Sequence, residues 1–120
     1  MDLLFVRRDA DGNDYFSILD WKSDVLEDTS YASKEAIAEK VNKEYSVQRI
    51  LYSYCLIKWL KQFYTELSEK EIFEKHFGGI YYVFVRGCQA ESCNGIYAQT
   101  WKSFEALEAS YKNILKLMEA

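Results

Sequence analysis

Asp20, Trp21 and Lys22 form the short motif in this sequence with the clearest capacity for chemistry. They end a strand-like run over residues 15–19, and a second acidic residue, Asp2, begins the apolar run before it. Carboxylates bind hard divalent cations through oxygen, and such cations polarise phosphate esters and activate water. A lysine beside them can neutralise or position a phosphate. These residue types predict a metal-dependent phosphodiester nuclease.

A hairpin would bring the two aspartates together. The segment 7–14 is polar and contains Asp11-Gly12, a strong turn signal between two strand-like runs. Folding the chain about Asp11 places Asp2 opposite Asp20, and directly opposed residues point to the same face of a sheet. Lys22 shares that face because it lies two residues further along the strand. A slip of one residue would move Asp2 to the wrong face, so the prediction depends on the register.

The same hairpin is apolar on both faces, which is typical of strands covered on both sides in an α/β sheet. Leu4, Val6, Phe16 and Ile18 would lie on one face, and Leu3, Phe5, Leu19 and Trp21 on the other. On its own, an acid and a base at a strand end usually form a solvated surface. The nuclease interpretation therefore needs the facing aspartate and the wider pattern of the chain.

The rest of the chain predicts helices that alternate with strands. Helical spacing indicates a helix over residues 34–44 after Ser33, a long helix over 47–67 after Ser46, and an amphipathic helix over 101–118. Ser68 and Glu71 form a capping-box pattern before a short helix that ends at Lys75. The apolar run 80–85 predicts a buried central strand, and 95–99 a short returning strand. The fold class predicted is α/β, with a small central mixed sheet flanked by helices.

Composition fits one compact domain over residues 1–120. The chain has 49% hydrophobic residues and no proline, and its net charge is −4 with a pI near 5.0. An acidic chain is a poor freestanding nucleic-acid binder, because affinity for the backbone comes from Lys and Arg. Its three cysteines lack the spacing of a zinc site and predict reduced thiols in a cytoplasmic protein. No signal peptide or membrane-spanning run is visible.

Five segments, taken in order, resemble the C-terminal nuclease domain of the RecB-type subunit of bacterial exonuclease V. They are Asp2-Leu3-Leu4-Phe5-Val6, Leu19-Asp20-Trp21-Lys22-Ser23-Asp24, Gln48-Arg49-Ile50-Leu51-Tyr52, His76-Phe77-Gly78-Gly79-Ile80-Tyr81-Tyr82-Val83-Phe84-Val85-Arg86-Gly87 and Gly95-Ile96-Tyr97. That domain belongs to the PD-(D/E)xK nuclease superfamily, so the resemblance implies a restriction-endonuclease-like core.

The resemblance implies a role for each matching residue. Asp2 and Asp20 match metal-binding aspartates, the backbone carbonyl of Trp21 matches a further metal contact, and Lys22 matches the catalytic lysine. Gln48 and Tyr52 match a supporting Gln-x-x-x-Tyr motif on one helix face. The cofactor implied is Mg²⁺, with Mn²⁺ as a substitute. The function implied is a DNA exonuclease in double-strand-break repair and recombination.

The resemblance also implies partners and a larger whole. DNA would be the substrate, and RecC-like and RecD-like subunits would complete a helicase–nuclease complex, with this chain as a C-terminal fragment of the larger subunit. The family carries a histidine ligand and helical residues upstream of its first aspartate, so we expect the core to lack its N-terminal portion and the isolated chain to be weakly active or inactive. Asp24 stands where the family usually has Asn, and His76 is predicted to be structural.

Two other interpretations stay open from the sequence. One is a different PD-(D/E)xK enzyme, such as a CRISPR-associated or phage exonuclease, against which the segment 78–87 argues. The other is a non-catalytic interaction or regulatory domain that keeps the nuclease fold, which the acidic charge favours. The joint presence of Asp2, Asp20 and Lys22 argues against it. The role of Arg86, on the phosphate path or in an ion pair, is also left open.

Overall fold

The first two strands form the predicted hairpin. The computed structural model describes residues 3–22, 38, 41–42, 45–84 and 96–119. Strand β1 (Leu3–Arg8) pairs antiparallel with β2 (Asp14–Lys22), with Leu3 opposite Leu19. This register is the one predicted from the Asp-Gly turn, and it is confirmed along the whole of β1. Asp2, whose position opposite Asp20 was predicted from the same register, lies outside the described residues.

Local chemistry fixes the hairpin turn. The side chain of Asp9 accepts hydrogen bonds from the backbone N–H groups of Asp11 and Asn13, both at 2.9 Å. These bonds hold the pKa of Asp9 below its ordinary value. Gly12 has a φ of 83°, a conformation that is sterically accessible to glycine and unfavourable for most other residues. The turn therefore sets the register without help from the rest of the fold.

A mixed four-stranded sheet forms the centre of the described structure, in the order β1-β2-β3-β4. Strand β3 (Phe77–Phe84) runs parallel to β2, and β4 (Ile96–Gln99) runs antiparallel to β3. A parallel pair needs a long crossover, which here contains helices. The predicted α/β class with a small mixed sheet is confirmed, and the architecture is compatible with a restriction-endonuclease-like core.

Three helices are described in full: α1 (Ser46–Lys61), α2 (Glu69–His76) and α3 (Phe104–Glu119). The predicted capping box of Ser68 and Glu71 is present at the start of α2. Of the helix predicted over 34–44, residues 38, 41 and 42 are described, and all are helical. No helix in the described part of the chain is long and apolar enough to cross a membrane.

Three boundary predictions were wrong. Helix α1 ends at Lys61 rather than near residue 67, and the Lys61 ammonium donates to the carbonyl of Leu67 at 2.5 Å where the chain turns towards α2. Ser46 is the first helical residue, and the preceding Tyr45 makes no side-chain cap. Helix α3 begins at Phe104, so Trp101 precedes it, and Met118, predicted to lie on its buried side, is largely exposed.

The core lies between one face of the sheet and the described helices. It contains Ile80, Tyr82 and Phe84 of β3, together with Ile57 and Leu60 of α1. The predicted burial of β3 is confirmed.

The opposite face of the sheet is less covered among the described residues. Leu3 and Trp21 lie on it and are largely exposed, as is Val6 at the hairpin edge of the helix-covered face. Coverage of both faces of the hairpin was predicted, and it is confirmed for Ile18 on the helix-covered face.

Gly79 allows β4 to approach β3 closely. Its φ is 96°, and a Cβ atom at this position would lie 2.6 Å from the carbonyl oxygen of Gln99. No L-residue with a side chain could occupy this position without moving the backbone of β4. The glycine therefore allows β4 to pair closely with β3. In this pairing the side chains of Tyr97 and Gln99 lie on the helix-covered face of the sheet.

Candidate active site

Asp20 and Lys22 lie at the end of β2 on the helix-covered face of the sheet. The Lys22 ammonium is 3.4 Å from a carboxylate oxygen of Asp20, and their side chains are 13% and 6% exposed. Ionised side chains rarely occupy such buried positions without partners, because removing a charge from water is costly. Burial of this acid–base pair at a strand end distinguishes it from the solvated surface that the motif alone would suggest.

Gln48 connects the pair to helix α1. Its side-chain oxygen accepts hydrogen bonds from the Lys22 ammonium at 3.4 Å and from the Tyr82 hydroxyl at 3.1 Å. Its side-chain nitrogen donates to the Tyr52 hydroxyl at 3.4 Å. The amide is thus oriented by partners on both of its ends. The structure brings Gln48 and Tyr52 to Lys22, although they are distant from it in sequence.

Tyr82 lies beside Asp20 because the two are partners in the β2–β3 register. Its hydroxyl is buried, and burial is the main cause that raises the pKa of Tyr82 well above its ordinary value of 10.0. The negative charge of Asp20 raises it further, while the positive charge of Arg49 lowers it. Tyr82 is therefore a neutral hydrogen-bond donor in this cluster.

Two tyrosine rings border the lysine. The Lys22 ammonium lies 4.1 Å from the centroid of the Tyr45 ring and 5.6 Å from that of Tyr82. The two rings stack with centroids 5.6 Å apart and planes 22° from parallel. Sequence reasoning missed both residues. Tyr82 could be linked to Asp20 only through the β2–β3 register, which was not known from the sequence. No local sequence pattern marked Tyr45 as a site residue.

Arg49 forms a second polar cluster next to the first. Its side chain is largely buried, and one guanidinium nitrogen donates to Asn42 at 2.7 Å and to Gln99 at 3.0 Å. The guanidinium also lies 5.2 Å from the centroid of the Trp101 ring. These contacts join α1 to β4, which indicates a structural role for Arg49 beside the candidate site.

Asp20 has the donor chemistry that a hard divalent cation prefers. Within the described residues, no group of three or more acidic, histidine or cysteine side chains gathers to hold a metal. Asp2, the other predicted carboxylate ligand, lies outside them. Trp21 is described with its side chain half exposed, and the metal contact of its carbonyl stays a prediction. Asp20 thus fits the role of one carboxylate ligand in a metal site.

The remaining predicted residues are separate from this site. His76 lies at the opposite end of β2, where its Nδ1 is 2.8 Å from the carbonyl oxygen of Asp14 and its ring stacks on Tyr64. Asp20 lies six positions after Asp14 along the strand, or roughly 20 Å away, which agrees with a structural His76. Asp24, Arg86, Cys88 and Cys93 lie outside the described residues.

Comparison with known proteins adds one match. No protein-family model matches the chain. Over 89 residues, or 72% of its length, the chain is 34% identical to the RecBCD enzyme subunit RecB of Buchnera aphidicola subsp. Schizaphis graminum. The chain is RecB-related. It spans 7% of the length of that subunit, so the match concerns a small part of a much longer protein.

Proposed function

We propose that this chain is the nuclease domain of a RecB-like helicase–nuclease, and that it hydrolyses DNA phosphodiester bonds as a Mg²⁺-dependent exonuclease. The observation that carries the proposal is the buried Asp20–Lys22 pair at the end of β2, in a chain related to RecB. A buried carboxylate beside a buried ammonium supplies both the anionic ligand for a cation and the cationic partner for a phosphate.

Each residue of the site has a defined role in this proposal. Asp20, Asp2 and the backbone carbonyl of Trp21 hold Mg²⁺, for which Mn²⁺ can substitute. The cation polarises the scissile phosphate. The Lys22 ammonium contacts a phosphate oxygen or orients the attacking water, because its several N–H donors are not all directed at Asp20 and Gln48.

Gln48 and Tyr52 support the lysine rather than the metal. The amide of Gln48 lies between the Lys22 ammonium and two tyrosine hydroxyls, so it limits where the flexible lysine can place its charge. A position fixed before substrate binds lowers the cost of reaching the transition state. Loss of the Gln48 amide would therefore reduce turnover more than metal binding.

The acidic charge of the chain favours delivery of DNA by partners. With a net charge of −4, the chain has little electrostatic attraction for a polyanion. We propose that RecC-like and RecD-like subunits, in a cytoplasmic helicase–nuclease complex that processes double-strand ends, bring the strand to the site. The domain would then supply hydrolysis, and the rest of the complex would supply DNA binding and movement.

Calorimetric titration with Mn²⁺ tests the metal site without requiring activity. We expect one binding event in the wild-type chain and its loss in Asp20→Asn, since a neutral amide is a weaker ligand for a hard cation than a carboxylate. Asp14→Asn is the matched control, because Asp14 lies at the other end of the same strand. Unchanged Mn²⁺ binding by Asp20→Asn would contradict the proposed ligand.

Digestion of end-labelled linear DNA tests the reaction itself. In the larger subunit assembled with its RecC-like and RecD-like partners, we expect products from wild type only when Mg²⁺ is added, and none from Asp20→Ala. Mn²⁺ binding without hydrolysis in any assembly would favour a non-catalytic domain with the nuclease fold. Cleavage of circular DNA without ends would favour a different enzyme of the same superfamily.

A further inference from the structure

Within the part of the chain that the structure describes, the Lys22 ammonium makes loose polar contacts in a largely buried site. Its distances to Asp20 and to Gln48 are both 3.4 Å, longer than the 2.9 Å or so that is usual for a strong N–H···O bond. Lysine has a flexible stem, so contacts of this length restrain its charge without fixing it fully. The closest ring, that of Tyr45, has its centroid 4.1 Å from the ammonium, well inside the range of a cation–π interaction.

We propose that Tyr45 is a second positioning residue for Lys22, beside Gln48. An ammonium is attracted to the face of an aromatic ring by the ring quadrupole. This attraction holds the ammonium in place without a strong hydrogen bond from it to a protein acceptor. The N–H groups of Lys22 therefore stay available for a phosphate. The consequence for catalysis rests on the proposed function, while the contact itself does not.

The fold delivers the ring and the amide together. Tyr45 immediately precedes helix α1, its N–H donates to the carbonyl of Val41 at 2.8 Å, and its carbonyl accepts from the N–H of Arg49 at 2.9 Å. Gln48 follows three residues later, the spacing at which helical neighbours share a face. The start of α1 therefore brings an aromatic face and an amide oxygen to Lys22 at once, and Tyr82 supports the ring by stacking on it.

Two substitutions separate the ring from its hydroxyl. Tyr45→Phe keeps the aromatic face, whereas Tyr45→Leu keeps an apolar side chain and removes the face. The ring current of Tyr45 should shift the NMR signals of the Lys22 ε-methylene protons upfield, and Lys22→Gln identifies those signals by their loss. We expect the shift in wild type and Tyr45→Phe, and a marked reduction in Tyr45→Leu, in which the more distant Tyr82 ring is still present. An undiminished shift in Tyr45→Leu, or no shift in wild type, would overturn the proposal.

Hydrolysis then tests the consequence. Tyr45→Leu should lower kcat by about 3- to 30-fold, the range that a cation–π interaction of ordinary strength implies, with Mn²⁺ affinity unchanged and Tyr45→Phe close to wild type. A general loss of folding would instead reduce Mn²⁺ binding and Lys22 positioning together. If wild type within the helicase–nuclease complex lacks Mg²⁺-dependent hydrolysis, the proposed function fails while the NMR comparison still decides the role of Tyr45. Wild-type kcat in Tyr45→Leu would contradict that role.

Discussion

At each end of strand β2 an aspartate pairs with a basic side chain, but the two pairs differ in their exposure to solvent. At its start, Asp14 pairs with Arg8 at 2.8 Å, and the side chains are 27% and 70% exposed. At its end, Asp20 pairs with Lys22 at 3.4 Å, and both side chains are largely buried. The exposed pair is therefore the shorter of the two, and the buried pair is the longer.

This difference distinguishes a self-contained surface ion pair, at the start of β2, from a candidate reactive pair at its end. Arg8 makes a second hydrogen bond to Asp14, and its guanidinium holds the pKa of that carboxyl below the ordinary value. An exposed pair of this kind is saturated by its own contacts and contributes little in water. The Asp20–Lys22 pair is shared with Gln48 and the tyrosines. Under the proposed function, its groups would exchange these partners for a cation and a phosphate.

Replacing the carboxylate of Asp20 or of Asp14 by an amide, one at a time, gives the largest expected difference in hydrolysis rate between the two ends of β2. Asp20→Asn should lower the initial rate of Mg²⁺-dependent hydrolysis of linear DNA by about 10³-fold, comparable to removing a main electrostatic group from an active site. Asp14→Asn, at the other end of the same strand, should leave the rate unchanged. Equal losses in both variants would show that the strand, rather than the buried carboxylate, supports activity.

Replacing the two basic side chains, Lys22 and Arg8, gives the same comparison with a smaller expected effect on the rate. Lys22→Gln should lower the rate by about 10²-fold, because the phosphate loses its cationic partner, while Mn²⁺ binding persists because the carboxylates are untouched. Arg8→Gln is the control and should hydrolyse DNA at the wild-type rate, since Arg8 is exposed and, among the described residues, forms its ion pair with Asp14 of the same hairpin. Loss of Mn²⁺ binding in Lys22→Gln would mean that the lysine organises the metal site instead.

Local signals explain which parts of the fold could be predicted. The Asp-Gly turn and strand alternation predicted the β1–β2 register, and Ser68 with Glu71 predicted the start of α2, because each depends on neighbours in sequence. The burial of β3 followed from its apolar run. These elements needed no knowledge of tertiary contacts.

Tertiary packing explains what the sequence did not reveal. Phe63 and Tyr64 continue the apolar spacing of α1, yet the helix has ended, and Tyr64 instead packs against Phe16 and His76. Tyr82 was predicted only as a core residue, because its contact with the site depends on the parallel β2–β3 register. Of the candidate site, the resemblance predicted Gln48 and Tyr52 at Lys22, whereas the Tyr45 ring came from the structure alone.

His76 allows a stability test at the exposed end of β2. His76→Ala should lower the free energy of unfolding by about 1–2 kcal/mol, because the variant loses one hydrogen-bonding contact and one stacked ring. Mn²⁺ binding should be unchanged at a temperature where the variant is folded. Urea denaturation and calorimetry measure the two effects, and reduced Mn²⁺ affinity in folded His76→Ala would make the histidine a ligand after all.

Tyr82 provides the smallest effect, at the buried end of the strand. Tyr82→Phe should lower the free energy of unfolding by about 1 kcal/mol near neutral pH, since Gln48 loses one of its two donors and keeps Lys22 as the other. Burial raises the pKa of Tyr82 in the folded chain, so the folded state retains the phenolic proton that the unfolded state releases above its ordinary value of 10.0. Stability due to this proton is complete below that value and is lost as the pH rises above it.

The phenylalanine variant has no such proton, so its stability should fall less steeply at alkaline pH. The difference between wild type and Tyr82→Phe should therefore shrink from about pH 8 to about pH 11, as measured by urea unfolding of both proteins at each pH. Parallel profiles over this range would show that the hydroxyl reaches solvent. In that case Tyr82 would not be a buried donor to Gln48, and Lys22 would be positioned by Tyr45 and Gln48 without it.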